Sequence, residues 1–305
     1  MMQYTTIDGV RASRVAQGCM RIASLTAAQL DRLVRTDLEG GINFFDHADI
    51  YGGGACEERF GEFLHENPSL RGQMLIQTKC GIRKGMYDFS RAHILFCADR
   101  SLQLLKTDYL DFLLLHRPDA LCEPEEVADA FETLKKAGKV RHFGVSNHNP
   151  MQMELLSRAL GANRLCVNQL QFSMTNTTML DAGLHVNMED AAAVNRDGSV
   201  LDYCRLRGIT VQPWSPFQHG FFEGPFIGNP AYAALNDALE RIADAHGITP
   251  TGLAIAWILR HPAKMQPVIG TTNPDRVAEI CRASDVVLSR EEWYGLYRAS
   301  GKTLP

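Results

Sequence analysis

Short apolar runs alternate with amphipathic stretches along almost the whole chain. Eight of the runs have the length and composition of buried strands, and the stretches between them have the apolar spacing of helices. The predicted strands lie near 14–18, 42–45, 74–78, 110–115, 140–145, 165–169, 209–213 and 267–269. The predicted helices include 27–39, 56–65, 91–105, 124–137, 150–160 and 200–207.

This alternation predicts a parallel α/β sheet with helices packed against it. Eight strands in a chain of 305 residues favour a closed (β/α)8 TIM barrel over an open doubly wound sheet. The first predicted strand leads into Gly18, Cys19 and Met20, with one glycine where a Rossmann dinucleotide-binding domain has three. We therefore expect residues 1–305 to form a single barrel domain.

Four segments lie outside the regular alternation. Residues 4–16 flank an Asp-Gly dipeptide with strand-forming residues, which predicts a hairpin that covers one end of the barrel. The connections 172–199 and 215–230 are longer than a barrel needs, and we expect them to form lids over a binding site. The apolar spacing of 289–300, with an early pair of glutamates, predicts a final helix on the barrel exterior or across one end.

Composition limits the classes of partner. The formal charge is −4 and no run of five like charges occurs, so nothing favours a nucleic-acid or anionic-membrane partner. The chain starts without a signal-peptide pattern and has no apolar run of ~18 residues, so we expect a cytoplasmic location. The eight cysteines are scattered singly, which favours reduced core cysteines over disulfides or metal ligands. A protein partner is left open.

Four ionisable side chains lie at, or just after, the ends of three successive predicted strands. In barrel enzymes the carboxyl ends of the strands share one face, and that face carries the active site. We therefore expect these side chains to form one catalytic site: Asp46, Tyr51, Lys79 and His116.

These residue types suit protonation of a carbonyl oxygen. A free phenol titrates near ~10 and is a slow acid at neutral pH. The ammonium of Lys79 favours phenolate and is expected to lower the pKa of Tyr51, while Asp46 holds that ammonium charged and oriented. His116 is expected to donate a hydrogen bond that polarises the substrate oxygen.

Each of these residues also has a purely structural interpretation. Asp46 can cap the turn after its strand, Tyr51 and the glycines after it can form a simple turn, and His116 can be an interior histidine. Their joint placement favours catalysis. His47 is equally compatible with facing the substrate and with packing beside the aspartate, so it is left out of the catalytic set.

The motifs around these residues resemble those of the aldo-keto reductase family. Residues 45–52 are similar to its aspartate-to-tyrosine motif, 76–79 to its lysine strand and 108–116 to its histidine strand. The similarity is greatest to a bacterial subgroup of poorly assigned NADP-dependent oxidoreductases. Further similar segments follow in the same order, at 144–147, 168–169, 212–216 and 267–276.

The resemblance implies a nicotinamide cofactor across the carboxyl-terminal face of the barrel. It implies that Ser146, Asn147 and Gln169 hydrogen-bond the carboxamide and that Trp214 stacks on the ring, which fixes the ring face. Structural alternatives are a helix cap for the serine and asparagine and core filling for the tryptophan. The loop that begins at Ser215 is expected to fold over the pyrophosphate with backbone N–H donors.

The resemblance also covers the family's segment for the adenosine 2′-phosphate and adenine: Gly270, Thr271, Thr272, Arg276 and Glu279. The guanidinium of Arg276 suits a phosphate dianion. Many members have a lysine at the position of Gly270 and an asparagine at that of Ile280. Since one cation remains for the extra phosphate, NADP(H) is favoured over NAD(H), and use of both is left open.

The expected substrate is a small carbonyl compound. Met20 and Arg21 are candidates for the mouth of the site, and Phe172 and Phe217 for its apolar walls. An aldehyde, a ketone, a sugar and a quinone are all compatible with these residues.

The leading hypothesis is a carbonyl reductase in which Tyr51 gives the proton. A Schiff-base aldolase that uses Lys79 is disfavoured. Such a nucleophilic lysine needs a lowered pKa, whereas the nearby Asp46 raises the pKa of Lys79. Metal-dependent hydrolysis is disfavoured because the strand ends lack a sufficient ligand set, and we expect no metal. The remaining alternative is a cofactor-binding regulatory subunit of the same fold with little turnover.

Overall fold

The computed structural model of the protein describes residues 2–304, which contain twelve strands and eleven α-helices. The strands are β1 (Tyr4–Ile7), β2 (Val10–Ser13), β3 (Ala16–Gly18), β4 (Phe44–Asp46), β5 (Leu75–Cys80), β6 (Ile82–Arg83), β7 (Met86–Tyr87), β8 (Leu110–Leu115), β9 (Val140–Ser146), β10 (Leu165–Gln171), β11 (Thr210–Trp214) and β12 (Val268–Ile269). The helices are α1 (Ala27–Glu39), α2 (Ala55–Glu66), α3 (Arg91–Leu105), α4 (Pro124–Lys136), α5 (Pro150–Leu160), α6 (Thr178–Leu184), α7 (Val200–Arg207), α8 (Ala233–His246), α9 (Pro250–Arg260), α10 (Pro274–Ala283) and α11 (Arg290–Ala299).

Eight of the strands form one parallel sheet that curves into a barrel. Their order is β11-β10-β9-β8-β5-β4-β3-β12. The two edges are joined where Gln266 N, just before β12, donates to Val211 O of β11 at 3.0 Å. The predicted (β/α)8 TIM barrel is confirmed, and each of its strands begins and ends within two residues of the predicted bounds.

The barrel strands are buried on both faces, as expected of a parallel sheet covered by helices. All six residues of β8 are buried. Inside the barrel, the rings of Phe44 and Phe112 lie 5.2 Å apart, in a small core that also contains Leu114 and Val167. A larger core between the sheet and the helices contains the outward-facing strand residues and the apolar faces of the helices.

The hairpin of β1 and β2 closes the amino-terminal end of the barrel. Its Ile7 and Ala12 join the inner core around Phe44 and Phe112. Asp8 and Gly9 at its turn have φ of 47° and 83°, which an Asp-Gly pair adopts at low cost. The predicted hairpin is confirmed, and the carboxyl-terminal end of the barrel remains for a site.

Local sequence signals set the helix ends. Three helices begin with a capping box, in which the side chains at the cap and at the third helical residue each accept from the other's backbone N–H. The predicted bounds are confirmed for α1, α3, α5 and α7, and they differ by one residue at both ends of α2 and at the end of α4. The capping pairs are Thr26 with Gln29, Asn149 with Gln152, and Ser289 with Glu292.

The connection 172–199 differs from the predicted lid. It contains α6, and none of its residues lines the large cavity described below. Tyr297 of α11 donates to Asp181 at 2.9 Å, which fixes this connection against the carboxyl-terminal segment. Ser173 and Thr175 donate to Gln218 O at 2.8 and 3.0 Å, so the connection supports the second long loop from behind.

The final helix packs on the barrel exterior, as predicted. Trp293 of α11 stacks on Trp257 of α9, with ring centroids 4.8 Å apart. Each indole N–H donates to the backbone oxygen of the other tryptophan at 3.0 Å, so neither buried donor lacks an acceptor. Among residues 2–304, no helix is both long enough and apolar enough to cross a membrane.

The contact between α2 and α3 depends on Gly61. A Cβ at this position would lie 2.0 Å from Leu104 O, and a backbone oxygen cannot move away as a flexible side chain does. We predict that Gly61→Ala lowers the free energy of unfolding by more than about 2 kcal/mol, measured by urea unfolding. The matched control is Gly295→Ala in α11, where the new Cβ would meet no atom within 4 Å. It should gain about 0.5–1 kcal/mol through helix propensity; equal effects of the two changes would contradict the close-contact explanation.

Candidate active site

Neighbouring strand ends bring the four predicted catalytic residues together at the carboxyl-terminal face. Asp46 ends β4, Lys79 lies near the end of β5, and His116 directly follows β8. Tyr51 begins a 3-10 turn between β4 and α2. The next two glycines have φ of 59° and 68°, a conformation that favours glycine, and they let the chain turn into α2 beside the strand ends.

Lys79 is the centre of this group. Its side chain is fully buried, and its Nζ lies 2.8 Å from the Asp46 carboxylate. The same ammonium donates to His47 O at 2.7 Å and to the Tyr51 hydroxyl at 3.1 Å. Burial alone lowers the pKa of Lys79, but Asp46 and Tyr51 more than offset it and raise that pKa above its usual value. The lysine is therefore charged at neutral pH.

The prediction that Tyr51 has a lowered pKa is wrong for the protein without bound cofactor or substrate. Burial raises the pKa of the phenol, and the nearby Asp46 adds to that effect. Lys79 lowers it, as predicted, but does not overcome the burial. Tyr51 therefore carries its proton throughout the physiological range.

His116 is uncharged at neutral pH. Burial, followed by the charges of Lys79 and Arg117, lowers its pKa well below the usual range. Its ring meets the ring of Tyr51 edge to face, with centroids 6.1 Å apart. A neutral imidazole has one N–H to donate, so the ring can hydrogen-bond an uncharged carbonyl oxygen without itself being an acid.

The amide groups inside the barrel orient Asp46, which the sequence analysis missed. Gln77 donates to Asp46 Oδ1 at 2.6 Å and Gln169 at 3.1 Å. Both glutamines also donate to Gln212, at 2.8 and 3.1 Å, and Gln212 donates to Gln266 at 2.8 Å. Because these side chains come from segments far apart in the chain, no single sequence motif reveals the network.

His47 faces the packing and not the cavity. Its side chain is fully buried, and its ring meets Phe60 edge to face at 4.6 Å. Neither ring nitrogen has a hydrogen-bond partner among the described residues. Burial, assisted by Lys79, lowers its pKa to about 3, so His47 is a neutral packing residue.

The residues expected at the nicotinamide form one hydrogen-bonded set. Asn147 donates to the Ser146 hydroxyl at 2.7 Å, and Ser146 donates to Gln169 O at 3.0 Å. The indole of Trp214 donates to Asn147 Oδ1 at 3.2 Å. Asn147 and Ser215, which directly follow β9 and β11, have φ of 59° and 52°. Such backbone strain in non-glycine residues is concentrated at functional sites.

A cavity of about 870 Å³ lies at the carboxyl-terminal face. Its lining includes five predicted cofactor residues and three of the four predicted catalytic residues: Ser146, Asn147, Gln169, Trp214, Ser215, Asp46, Tyr51 and His116. Lys79 lies beneath its floor, fully buried. Met20, Arg21 and Phe217 line the cavity as predicted. Phe172 does not: it is buried against Trp257, at 5.5 Å between ring centroids.

Part of the segment predicted to bind adenosine also reaches the cavity. Gly270, Thr271 and Arg276 line it, whereas Thr272 and Glu279 are half-buried neighbours outside the lining. Arg276 lies in the first turn of α10, exposed, and has no ion-pair partner among residues 2–304. A Cβ at Gly270 would meet no atom within 4 Å, so the cavity is open on this side.

The second long loop supplies cavity residues that the sequence analysis did not identify individually. Phe221 and Phe222 line the cavity beside Trp214, and the rings of Phe222 and Trp214 stack at 5.9 Å. Arg117 and Ile82 were also missed. The loop 215–230 therefore lies over the cavity, as predicted for a lid, but loop side chains follow no periodic pattern that would identify the lining ones.

Metal-binding groups and cysteines were the other candidate chemistry in the sequence. Within residues 2–304 there is no cluster of three or more metal-binding side chains. The eight cysteines are free, and all except the half-buried Cys122 are buried. Their burial agrees with the expected core positions.

Comparison with known proteins identifies similar sequences over the whole chain. The family model described as the aldo/keto reductase family matches residues 14–298. A "6-dehydroglucose reductase" of Agrobacterium fabrum is 35% identical over 97% of each chain. An "Oxidoreductase YdhF" of Escherichia coli is 35% identical over 98% of each chain. The structure of a candidate 2,5-diketo-D-gluconic acid reductase B superposes with a TM-score of 0.75 at 24% identity, over 98% of this chain and 92% of the other, and it shows the same fold.

The buried ion pair yields a stability prediction. Asp46→Asn leaves the Lys79 ammonium in the interior without an anion, which should cost about 3–5 kcal/mol of unfolding free energy at neutral pH. Burial then lowers the pKa of Lys79 below its value in the unfolded chain. The unfolded state therefore binds more protons, and the stability of the variant should rise with pH toward about 10. Urea unfolding at a series of pH values measures this.

In the wild type, the contribution of Lys79 to stability should instead fall as the pH rises. Because the folded pKa of Lys79 is raised, its stabilising contribution is complete below the unfolded pKa of ~10.4 and is lost only as the pH rises further. As a control, Asp46→Asn combined with Lys79→Met removes both charges and should recover most of the lost stability. If Asp46→Asn alone were as stable as wild type at neutral pH, the proposed contribution of the buried ion pair to stability would be contradicted.

Proposed function

The chain belongs to the aldo/keto reductase family and is an oxidoreductase, and from this premise we propose that it reduces the carbonyl of a small aldehyde or ketone to an alcohol with hydride supplied by a bound nicotinamide. One observation carries the proposal. The buried Lys79 ammonium contacts both the Asp46 carboxylate and the Tyr51 hydroxyl, beside a cavity lined by the neutral His116.

Tyr51 is the proposed proton donor. Its raised pKa keeps it protonated before the reaction, which is the form that a donor needs. An alkoxide is much more basic than a phenolate, so the proton moves from Tyr51 to the substrate oxygen as that oxygen gains charge. Lys79, 3.1 Å from the hydroxyl, stabilises the phenolate left behind, and Asp46 holds Lys79 in place.

His116 is the proposed guide for the substrate oxygen. Since its pKa is far below neutral, it donates a hydrogen bond without carrying a charge of its own. Such a donor polarises the carbonyl and favours the geometry in which the oxygen also faces Tyr51.

The residues around Trp214 fit a nicotinamide carboxamide. Ser146 and Asn147 already hold one another and Trp214, so this wall is organised before binding. The amide nitrogen of Gln169 is used by Asp46 and Gln212, while its Oε1 has no partner among residues 2–304. That oxygen is therefore free to accept a hydrogen bond from the carboxamide, and the proposal keeps all three residues and Trp214 as cofactor contacts.

NADP(H) is the favoured cofactor, with NAD(H) as a second one. Arg276 is an exposed cation that lines the cavity, as Gly270 and Thr271 do, and it has no carboxylate partner among the described residues. A guanidinium pairs well with a phosphate dianion such as the adenosine 2′-phosphate. Thr272 and Glu279 are proposed to contact the adenosine from the edge of the cavity, and Ser215 the pyrophosphate.

The proton-donor role yields a direct prediction. Tyr51→Phe should lower the turnover of aldehydes by about 10²- to 10⁴-fold, because the proton has no other positioned donor. The assay is loss of NADPH absorbance with a panel of aldehydes and ketones, with cofactor binding measured in parallel. Tyr87→Phe, which removes a hydroxyl from a tyrosine 45% exposed on β7, is the matched control and should retain wild-type turnover.

One outcome would contradict the role of Tyr51, and another would contradict carbonyl reduction by this protein. Retention of wild-type turnover by Tyr51→Phe would exclude the tyrosine as proton donor. Cofactor binding by the wild type without reduction of any carbonyl would favour a regulatory subunit of the same fold.

The cofactor assignment yields a second prediction. Arg276→Gln should weaken binding of NADPH by roughly 10- to 100-fold, the value expected for loss of a charged hydrogen bond, and leave binding of NADH unchanged. Arg282→Gln, at the far end of the same helix, is the control and should change neither affinity. Equal effects of Arg276→Gln on both cofactors would contradict recognition of the 2′-phosphate.

A further inference from the structure

Arg117 lies in the cavity at its reacting end. It directly follows His116 after β8, it lines the cavity, and its side chain is half-buried. Its guanidinium lies 5.9 Å from the centre of the Trp214 ring. Its charge also contributes to the lowered pKa of His116, which places it close to the imidazole proposed to contact the substrate oxygen.

Arg117 has no anionic partner among residues 2–304. The other half-buried arginines have polar partners: Arg71, for example, lies 3.0 Å from the Asp111 carboxylate, and Arg14 and Arg260 donate to backbone oxygens. Among the cavity-lining residues Asp46 is the one carboxylate, and Lys79 already neutralises it. Removing a guanidinium from water without a counter-charge is unfavourable, so a half-buried unpaired one in a cavity is suited to an anion that arrives with a ligand.

We propose that Arg117 binds an anionic group of the substrate, so that the natural substrates are aldehydes or ketones that carry a carboxylate or a phosphate. This rests on the proposed carbonyl reduction at Tyr51 and His116. The carbonyl lies at those two residues, and the anion pairs with the guanidinium in its fork geometry. Phe221, Phe222 and Trp214 line the same part of the cavity and contact the carbon chain between the two ends.

The position of Arg117 assigns it to the substrate and not to the cofactor phosphates. It adjoins His116 and Trp214, the residues proposed at the carbonyl and at the nicotinamide ring. The proposed 2′-phosphate partner, Arg276, follows β12, whereas Arg117 follows β8, and the strands β5, β4 and β3 lie between these two in the sheet. Loss of Arg117 should therefore change the choice among substrates more than the affinity for NADPH.

The experiment compares charged substrates with neutral counterparts of similar shape. One pair is succinic semialdehyde and its methyl ester, and the other is glyceraldehyde phosphate and glyceraldehyde. The measured quantity is the ratio of kcat/KM, charged over neutral, for wild type, Arg117→Met and Arg117→Lys. Wild type should favour the charged member of at least one pair, and Arg117→Met should lower that ratio roughly 10- to 100-fold. The pair with the larger drop identifies a carboxylate or a phosphate as the anion.

Controls separate this inference from the proposed function. Arg117→Lys keeps the charge and should retain part of the preference, and Arg158→Met removes a charge from the exposed face of α5 and should keep the wild-type ratio. Ratios near one in wild type, or ratios that Arg117→Met leaves unchanged, would overturn the anion site while leaving carbonyl reduction intact. If wild type reduces none of the four aldehydes with either cofactor, carbonyl reduction itself fails and the anion site with it.

Discussion

The candidate site depends on one buried charge, the ammonium of Lys79. A lone ammonium in a protein interior costs several kcal/mol, so its presence requires fixed partners. The barrel supplies them through strand pairing, because β4 and β5 are parallel neighbours with Asp46 opposite Gln77, two residues before Lys79. Gln77 and Gln169 then hold the carboxylate from inside the barrel, so backbone register and buried amides together fix the ion pair.

Burial sets the protonation of the two neighbours of Lys79, and the Lys79 charge modifies it. This charge adds to burial in keeping His116 neutral, and it opposes burial at Tyr51 without overcoming it. The same site therefore presents a protonated phenol and an uncharged imidazole to one cavity. For carbonyl reduction these are the useful forms, since one group gives a proton and the other orients the oxygen without protonating it beforehand.

Patterns local in sequence predicted most of the fold and the placement of the four candidate catalytic residues. The eight barrel strands, the hairpin and most helix bounds follow from apolar periodicity and caps, and the strand ends bring Asp46, Lys79 and His116 to one face. Properties that depend on burial could not be predicted from the sequence in this way. The net pKa direction of Tyr51, the inward packing of His47 and the burial of Phe172 all depend on which neighbours surround a side chain in space. The single-domain assignment of 1–305 and the cytoplasmic location stay predictions.

The most direct test of the role of Lys79 is the pH dependence of kcat/KM for carbonyl reduction in wild type and Lys79→Met. If Tyr51 gives the proton, wild-type activity is constant through neutral pH and falls only in alkaline solution, as the phenol loses its proton. Without the nearby ammonium the plateau should be much lower, and the alkaline fall should move to higher pH because the phenolate has lost its stabilising charge. A fall at or below neutral pH in wild type, or an alkaline limb that Lys79→Met leaves in place, would contradict the coupling of Lys79 to Tyr51.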